Sequence, residues 1–324
     1  MLGYFMTREQ VKDIAVRRAA RRDFFRKGSG FAVGIAGGAL VAACGDSGSS
    51  SAIAQSSAPS DADILNFALN LEYLESQFYI TAATGTGLPA GQLTGTGAQG
   101  AATGGRQATF LDPVVRQYAN EIAKDEVAHV AFLRTALGTA AVAQPTIDIG
   151  ISPTGAFSSA ARAAGLIVGA GASFDPYAND ENFLLAAYIF EDVGVTAYKG
   201  ASPLIQNKTF LEAAAGILAA EAYHAGLIRT VLYAKGVATG SLLRSSADKI
   251  SQARDALDHN RHRDQGISPV GDVSNIVPLD ANGLPYSRGP GDVLNIVYLN
   301  PGAVRSGGFF PNGVNGSLVL SSAA

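Results

Sequence analysis

The sequence predicts an all-α protein: a bundle of four long helices with one long crossover, followed by a mostly irregular C-terminal extension. Three observations carry this. Four strongly helical segments have their own start and stop signals. They form two pairs separated by a long, Pro-containing connection. Residues 126–137, EVAHVAFLRTAL, return 95 positions later as EAYHAGLIRTVL at 221–232, with Glu, His, Arg, Thr and Leu identical among the twelve.

Residues 1–44 precede the bundle and read as an export signal. ARRDFFRKG places Arg21-Arg22 ahead of a Gly-rich apolar run that is short for a membrane span and ends at Cys44. The arginine pair resembles the twin-arginine signal of bacterial proteins exported already folded, and VAACG resembles a lipobox that would make Cys44 a lipid anchor. Plain cleavage at Ala52-Ile53-Ala54 is the alternative. Cys44 is the single cysteine, so no internal disulfide can form. Removing residues 1–43 takes away 8 of 24 basic and 3 of 27 acidic residues, leaving a formal charge of −8. An acidic chain without a basic cluster argues against nucleic acid as a partner. Residues 45–60, rich in Ser, Ala and Gly, read as a flexible linker.

The bundle spans 61–235. A first helix is expected over 61–82, with Ser60, Asp61 and Asp63 supplying the cap and first-turn charge. A second covers 112–137, with Asp112 as cap, Pro113 at the first helical position and Gly138 as stop. The third runs over 180–199 to Gly200 and the fourth over 209–235 to Gly236. The Gly/Thr/Ala stretch between the first two has no core-forming pattern. The crossover holds Pro145, Pro153 and Pro176 and a weaker helix over 157–168. The extension, 236–324, carries one further helix over 241–257. Its remainder, including VLNIVYL at 293–299, reads as loops and a hairpin wrapped on the bundle.

Residues three apart share a helix face, so Glu126/His129 and Glu221/His224 each present a carboxylate and an imidazole to one point. With nine glutamates in the chain, chance would put a glutamate three positions before a given histidine about 3% of the time. On the first helix Glu72 and Glu75 fall on the apolar face with Leu71 and Phe78, whereas Asn66, Asn70, Tyr73 and Gln77 face away. On the third, Glu191 lies on the face of Leu184, Ala187 and Phe190. A charged carboxylate left unpaired in a core costs several kcal/mol, so something positive must meet these groups. Tyr79 and Tyr198 each follow their helix's glutamate by seven positions.

One Glu from each of two helices and Glu-x-x-His from each of the other two form the ligand set of ferritin-like dinuclear carboxylate proteins. Over 61–235 the chain resembles that superfamily, and all six positions are filled: Glu72, Glu126, His129, Glu191, Glu221 and His224. The tail RGPGDVLNIVYLNPGAVRSGGFFPNGVNG (288–316) is similar to the C-terminal region of desiccation-related ferritin-like proteins of plants and bacteria. The resemblance implies the bundle fold and a centre of two metal ions. It also implies that Asp125, just before the first Glu-x-x-His, supports His224, while Ala220 at the matching position cannot serve His129. Tyr79 and Tyr198 are placed around the ligands. Glu75, whose counterpart is Gly194, is a seventh ligand, a proton shuttle, or a partner of either tyrosine. Arg134 and Arg229 are expected to pair with acidic residues at the bundle end, and His259 and His262 to be solvated.

All-N/O ligation suits Fe or Mn better than copper. The function expected is detoxification of peroxide, dioxygen or superoxide in the periplasm or cell envelope, with Glu75, Tyr79 and Tyr198 as catalytic candidates. The protein would be lipid-anchored through Cys44 or free, and possible as a homo-oligomer. The alternatives are a protective envelope protein whose metal is structural, iron storage in a cage, and a metal-free buried polar network.

Overall fold

The computed structural model describes residues 58–323. The export signal, Cys44 and all but the last three residues of the linker lie outside the described residues. Four long helices form the expected bundle: α1 (Asp61–Thr84), α2 (Pro113–Leu137), α4 (Asp180–Ala201) and α5 (Lys208–Lys235). The smaller α3 (Ala156–Ala163) lies in the crossover, and α6 (Leu243–Leu257) and α7 (Pro290–Val297) belong to the extension. Helix α1 packs on α2, and α4 on α5. Helices α6 and α7 both lie against α4. Among the described residues no helix is long and apolar enough to cross a membrane.

The helix starts follow local chemistry. Ser60 and Asp63 form a reciprocal capping box at α1. Asp112 accepts from Val114 N at 2.9 Å ahead of Pro113, and Asn179 accepts from Asn182 N at 2.8 Å. Asn207 caps α5, so that helix begins at Lys208.

Three expectations need correction. Gly200 does not end its helix, which continues through Ala201. A side chain there would run into the backbone of Arg288, so this glycine serves the close approach of the extension. The segment VLNIVYL does not form a hairpin. Pro290 and Asp292 start α7, which is buried from Asp292 to Val297, and Asn295 Nδ2 ties its end to Asn300 O, Gly302 O and Ser322 O. A fully buried short helix has no polar face, so its apolar run looks like a strand.

The third correction concerns α1, which has no exposed side between Ile64 and Tyr79. Asn66, Asn70, Tyr73 and Gln77 are buried under the interhelix loop, the crossover and the tail. Asn66 pairs with Ala140 O and Val142 N, Asn70 with Asn315, Tyr73 with Gln92 O and Val142 O, and Gln77 with Gln144. These loops also form a two-residue parallel ladder, β1 (Ala102–Thr103) with β2 (Ile147–Asp148). Polar residues on that face therefore mark a buried hydrogen-bonded layer, which periodicity reads as solvent.

Candidate metal centre

The bundle aims the six predicted donors at its interior and brings all six together. His129 Nδ1 lies 3.2 Å from Glu72 Oε2, 3.6 Å from Glu126 Oε2 and 3.6 Å from Glu221 Oε1. His224 Nδ1 lies 3.1 Å from Glu126 Oε1 and 3.5 Å from Glu191 Oε2. Two donor groups result: Glu72, Glu126, His129 and Glu221, and Glu126, Glu191 and His224. Glu126 belongs to both, through one oxygen each, and the two imidazole centroids are 6.3 Å apart.

The four carboxylates are essentially fully buried, and the hydrogen-bond inventory shows what the site lacks. Both oxygens of Glu126 and Glu221, one each of Glu72 and Glu191, and Nδ1 of both histidines have no hydrogen-bond partner. Buried groups left in this state are costly unless a cation satisfies them. Seven convergent oxygen and nitrogen donors, one carboxylate common to two groups, fit a pair of hard or borderline divalent ions. Without one, burial and mutual repulsion push Glu221 well above the usual carboxylate range and Glu72 to about 7. Glu126 goes the other way: burial would raise it, but the His129 and His224 imidazoles beside its two oxygens hold it at about 2.

The surrounding residues divide. Tyr79 donates to Glu191 Oε1 and Tyr198 to Glu72 Oε1, each tyrosine serving the glutamate of the other half. Asp125 Oδ2 lies 3.2 Å from His224 Nε2, on the solvent side of the ring. Glu75 joins neither donor group. It makes no hydrogen bond to Tyr79 or Tyr198 and lines a small, mostly apolar cavity of about 10 Å³ with Leu71, Phe190, Gly194, Val297 and Phe309. Arg229 pairs with an acid, Asp192, at 2.8 Å, but beside the centre and not at the bundle end, and among the described residues Arg134 meets no carboxylate and donates to Tyr73 Oη and Thr94 O. His262 is solvated, with its side chain 88% exposed, whereas His259 is half-buried at a positive φ of 71°.

Sequence reasoning missed the buried ion-pair network beside the centre. Asp192, next to Glu191, is held by Arg229 and by Arg254 of α6. Arg254 reaches Asp264, and Arg288 links Asp264 to Asp258. Only the position of Asp192 directly after Glu191 hinted at it. On the other side, a cleft of about 680 Å³ between α2 and α5 opens over His224 and Asp125, with Tyr118 and the exposed Tyr223 in its walls.

A bundle of this topology, lined by Glu, Glu-x-x-His, Glu and Glu-x-x-His in chain order, defines the ferritin-like class. Residues 60–234 match the family model described as "Ferritin-like domain", and the chain belongs to that family. Two relatives extend the likeness beyond the bundle. The "Ferritin-like catalase Nec2" of Nesocodon mauritianus is 28% identical over 271 residues, covering 80% of this chain and 84% of that protein. The "Desiccation-related protein PCC13-62" of Craterostigma plantagineum is 31% identical over 243 residues, 71% of this chain and 75% of that one.

Proposed function

We propose that the protein binds two Fe or Mn ions at Glu72, Glu126, His129, Glu191, Glu221 and His224 and uses them to destroy hydrogen peroxide. The observation that carries this is the set of orphaned donors converging on two points with Glu126 common to both. The relative named a catalase, similar over most of both chains, favours peroxide among the small oxidants. When bound, the metal pair supplies the electron store, so that two molecules of H₂O₂ become one O₂ and two H₂O.

The chain's own residues position and exclude. Glu126 spans the two donor groups, Tyr79 and Tyr198 fix the orientations of Glu191 and Glu72, and Asp125 holds the His224 ring. Glu75, lining a small apolar cavity beside the donors and raised by burial and by Glu126, is the group placed to exchange a proton there. The α2–α5 cleft gives peroxide its approach, and the apolar packing of the core excludes bulk water.

The export reading belongs to the same proposal: metal is loaded on the folded chain, the Arg21-Arg22 signal carries it out, and Cys44 anchors it in the envelope. Oxygen evolution from hydrogen peroxide by Mn- or Fe-loaded protein tests the function. His129→Ala should abolish it together with metal binding, while His262→Ala leaves both intact. Metal that raises the melting temperature without any oxygen evolution would instead favour a protective protein with a structural metal, a reading to which the desiccation-related relative lends weight. A parent protein that takes up no Fe or Mn would overturn both.

A further inference from the structure

The two halves of the bundle place their six donors alike but differ on the inner face one turn further on: Glu75 stands three residues after Glu72, and Gly194 three residues after Glu191. The structure shows what the bare position does. A methyl group at 194 would lie 3.1 Å from Cδ of Glu221 and would overlap its Oε2, so the Glu221 carboxylate occupies the space a side chain would need. In the other half the matching position carries a side chain, Glu75, which joins neither donor group. The two central carboxylates differ accordingly. Glu126 places one oxygen beside each histidine, whereas Glu221 places one oxygen beside His129 and turns the other toward Gly194. Gly194 is an unusual choice by local criteria, because glycine inside a buried helix weakens it relative to alanine.

We propose that Gly194 is a positioning residue of the metal centre: its bare face on α4 admits the Glu221 carboxylate beside His129, so that Glu126 alone spans both donor groups. The inference deepens the metal-centre reading given above and rests on it for its metal readout, but its steric part concerns this chain alone. Other helix glycines supply the contrast. Gly216 of α5 has open space around it, so alanine there reports helix propensity alone.

The test is a double-mutant cycle on the full exported chain, read by melting temperature without metal and by Mn bound per chain. Gly216→Ala should raise the melting temperature by about 2–4 °C. Gly194→Ala should lower it, despite alanine's better helix propensity, and should reduce bound Mn from about two per chain to about one. In a Glu221→Ala background the same Gly194→Ala change should become neutral or stabilising, because the obstructing carboxylate is gone. Should Gly194→Ala fail to fold, recovery of helical circular dichroism in Gly194→Ala with Glu221→Ala carries the same conclusion. Equal effects of Gly194→Ala in the two backgrounds, or wild-type Mn content in the single variant, overturn the proposal. A parent protein that binds no metal defeats the metal-centre reading, while the metal-free cycle still decides the steric relation of Gly194 to Glu221.

Discussion

Tyr79, on α1, donates its hydroxyl hydrogen to Glu191, on α4, and Tyr198 of α4 returns the same bond to Glu72 of α1. Each bond crosses the bundle, so α1 and α4 are tied together twice by groups that also orient two carboxylates of the candidate metal centre. Burial, and then the neighbouring carboxylate, raise both hydroxyls well above the usual tyrosine range, which favours their protonated, hydrogen-donating form.

Tyr79→Phe therefore leaves Glu191 Oε1 without its donor, and Tyr198→Phe does the same to Glu72. An orphaned buried acceptor costs about 1–3 kcal/mol. Each variant is expected to lose that much in denaturant unfolding of the metal-loaded protein, with an unchanged dependence on denaturant. A loss below about 0.5 kcal/mol would show that neither bond contributes to holding the helices.

Asp125 supports one histidine and nothing supports the other from the matching position, because Ala220 stands there. Loss of an outer carboxylate partner weakens a metal site about 10–100-fold. In the proposed two-ion centre, Asp125→Ala should thus weaken the ion at His224 by that factor and leave the other unaltered in a metal titration. Equal weakening of both would contradict the assignment.

The metal-free protein should lose stability as pH rises. Burial alone would depress both imidazoles, but the facing glutamates overcome it: Glu72 and Glu126 carry His129 up to about 10, and Glu191 and Glu126 carry His224 up to about 12. A histidine raised on folding contributes fully below its unfolded value of about 6.5 and loses that contribution as pH climbs through the folded value. Glu72, raised to about 7 by burial and by Glu126, acts in the same direction. Glu126, held at about 2, acts in the opposite one, and its contribution disappears as pH falls from about 4.5 toward 2. Melting temperature of the metal-free protein should accordingly peak in mildly acid solution and fall from about pH 6.5 up to about 12. Bound metal replaces the protons and should flatten the alkaline side. A metal-free protein as stable at pH 9 as at pH 6 would show that the histidines are not held charged.

Much of the bundle was legible because its signals are local. Pro113 after Asp112, and Ser60 with Asp61 and Asp63 at the first helix start, announce boundaries without reference to tertiary structure. The Glu-x-x-His pairs expose their shared purpose through spacing, and Glu72 and Glu191 stand out as acids on apolar faces. What stayed hidden depends on partners distant in sequence. Asn66, Asn70, Tyr73 and Gln77 look like a solvent face because only the folded loops cover them. Helix α7 looks like a strand because it is buried on every side, and Gly200 looks like a stop because the backbone of Arg288 is 88 positions away. Glu75 and Gly194 were visible as a mismatch in the repeat, but the space that Glu221 takes is a property of three helices at once.

The ion-pair network gives the extension a structural part in the site. Arg254 of α6 pairs with Asp192 Oδ2 at 2.8 Å and Asp264 Oδ1 at 2.6 Å, and also donates to the main-chain oxygen of Tyr188, three residues before Glu191. It is buried, as are both aspartates, so its removal leaves two carboxylates each with one arginine fewer in a medium that solvates charge poorly. Breaking a buried pair by deleting one partner costs about 3–5 kcal/mol. Arg254→Met, which keeps most of the side chain's length, is expected to lose that much in denaturant unfolding of the metal-free protein. Arg254→Lys should recover little, because a single ammonium cannot reproduce the planar fork that serves two carboxylates and a carbonyl. The exposed Arg116→Met should change nothing measurable. If Arg254→Met unfolds at the denaturant concentration of the parent, the extension does not brace α4, and the network is bystander charge.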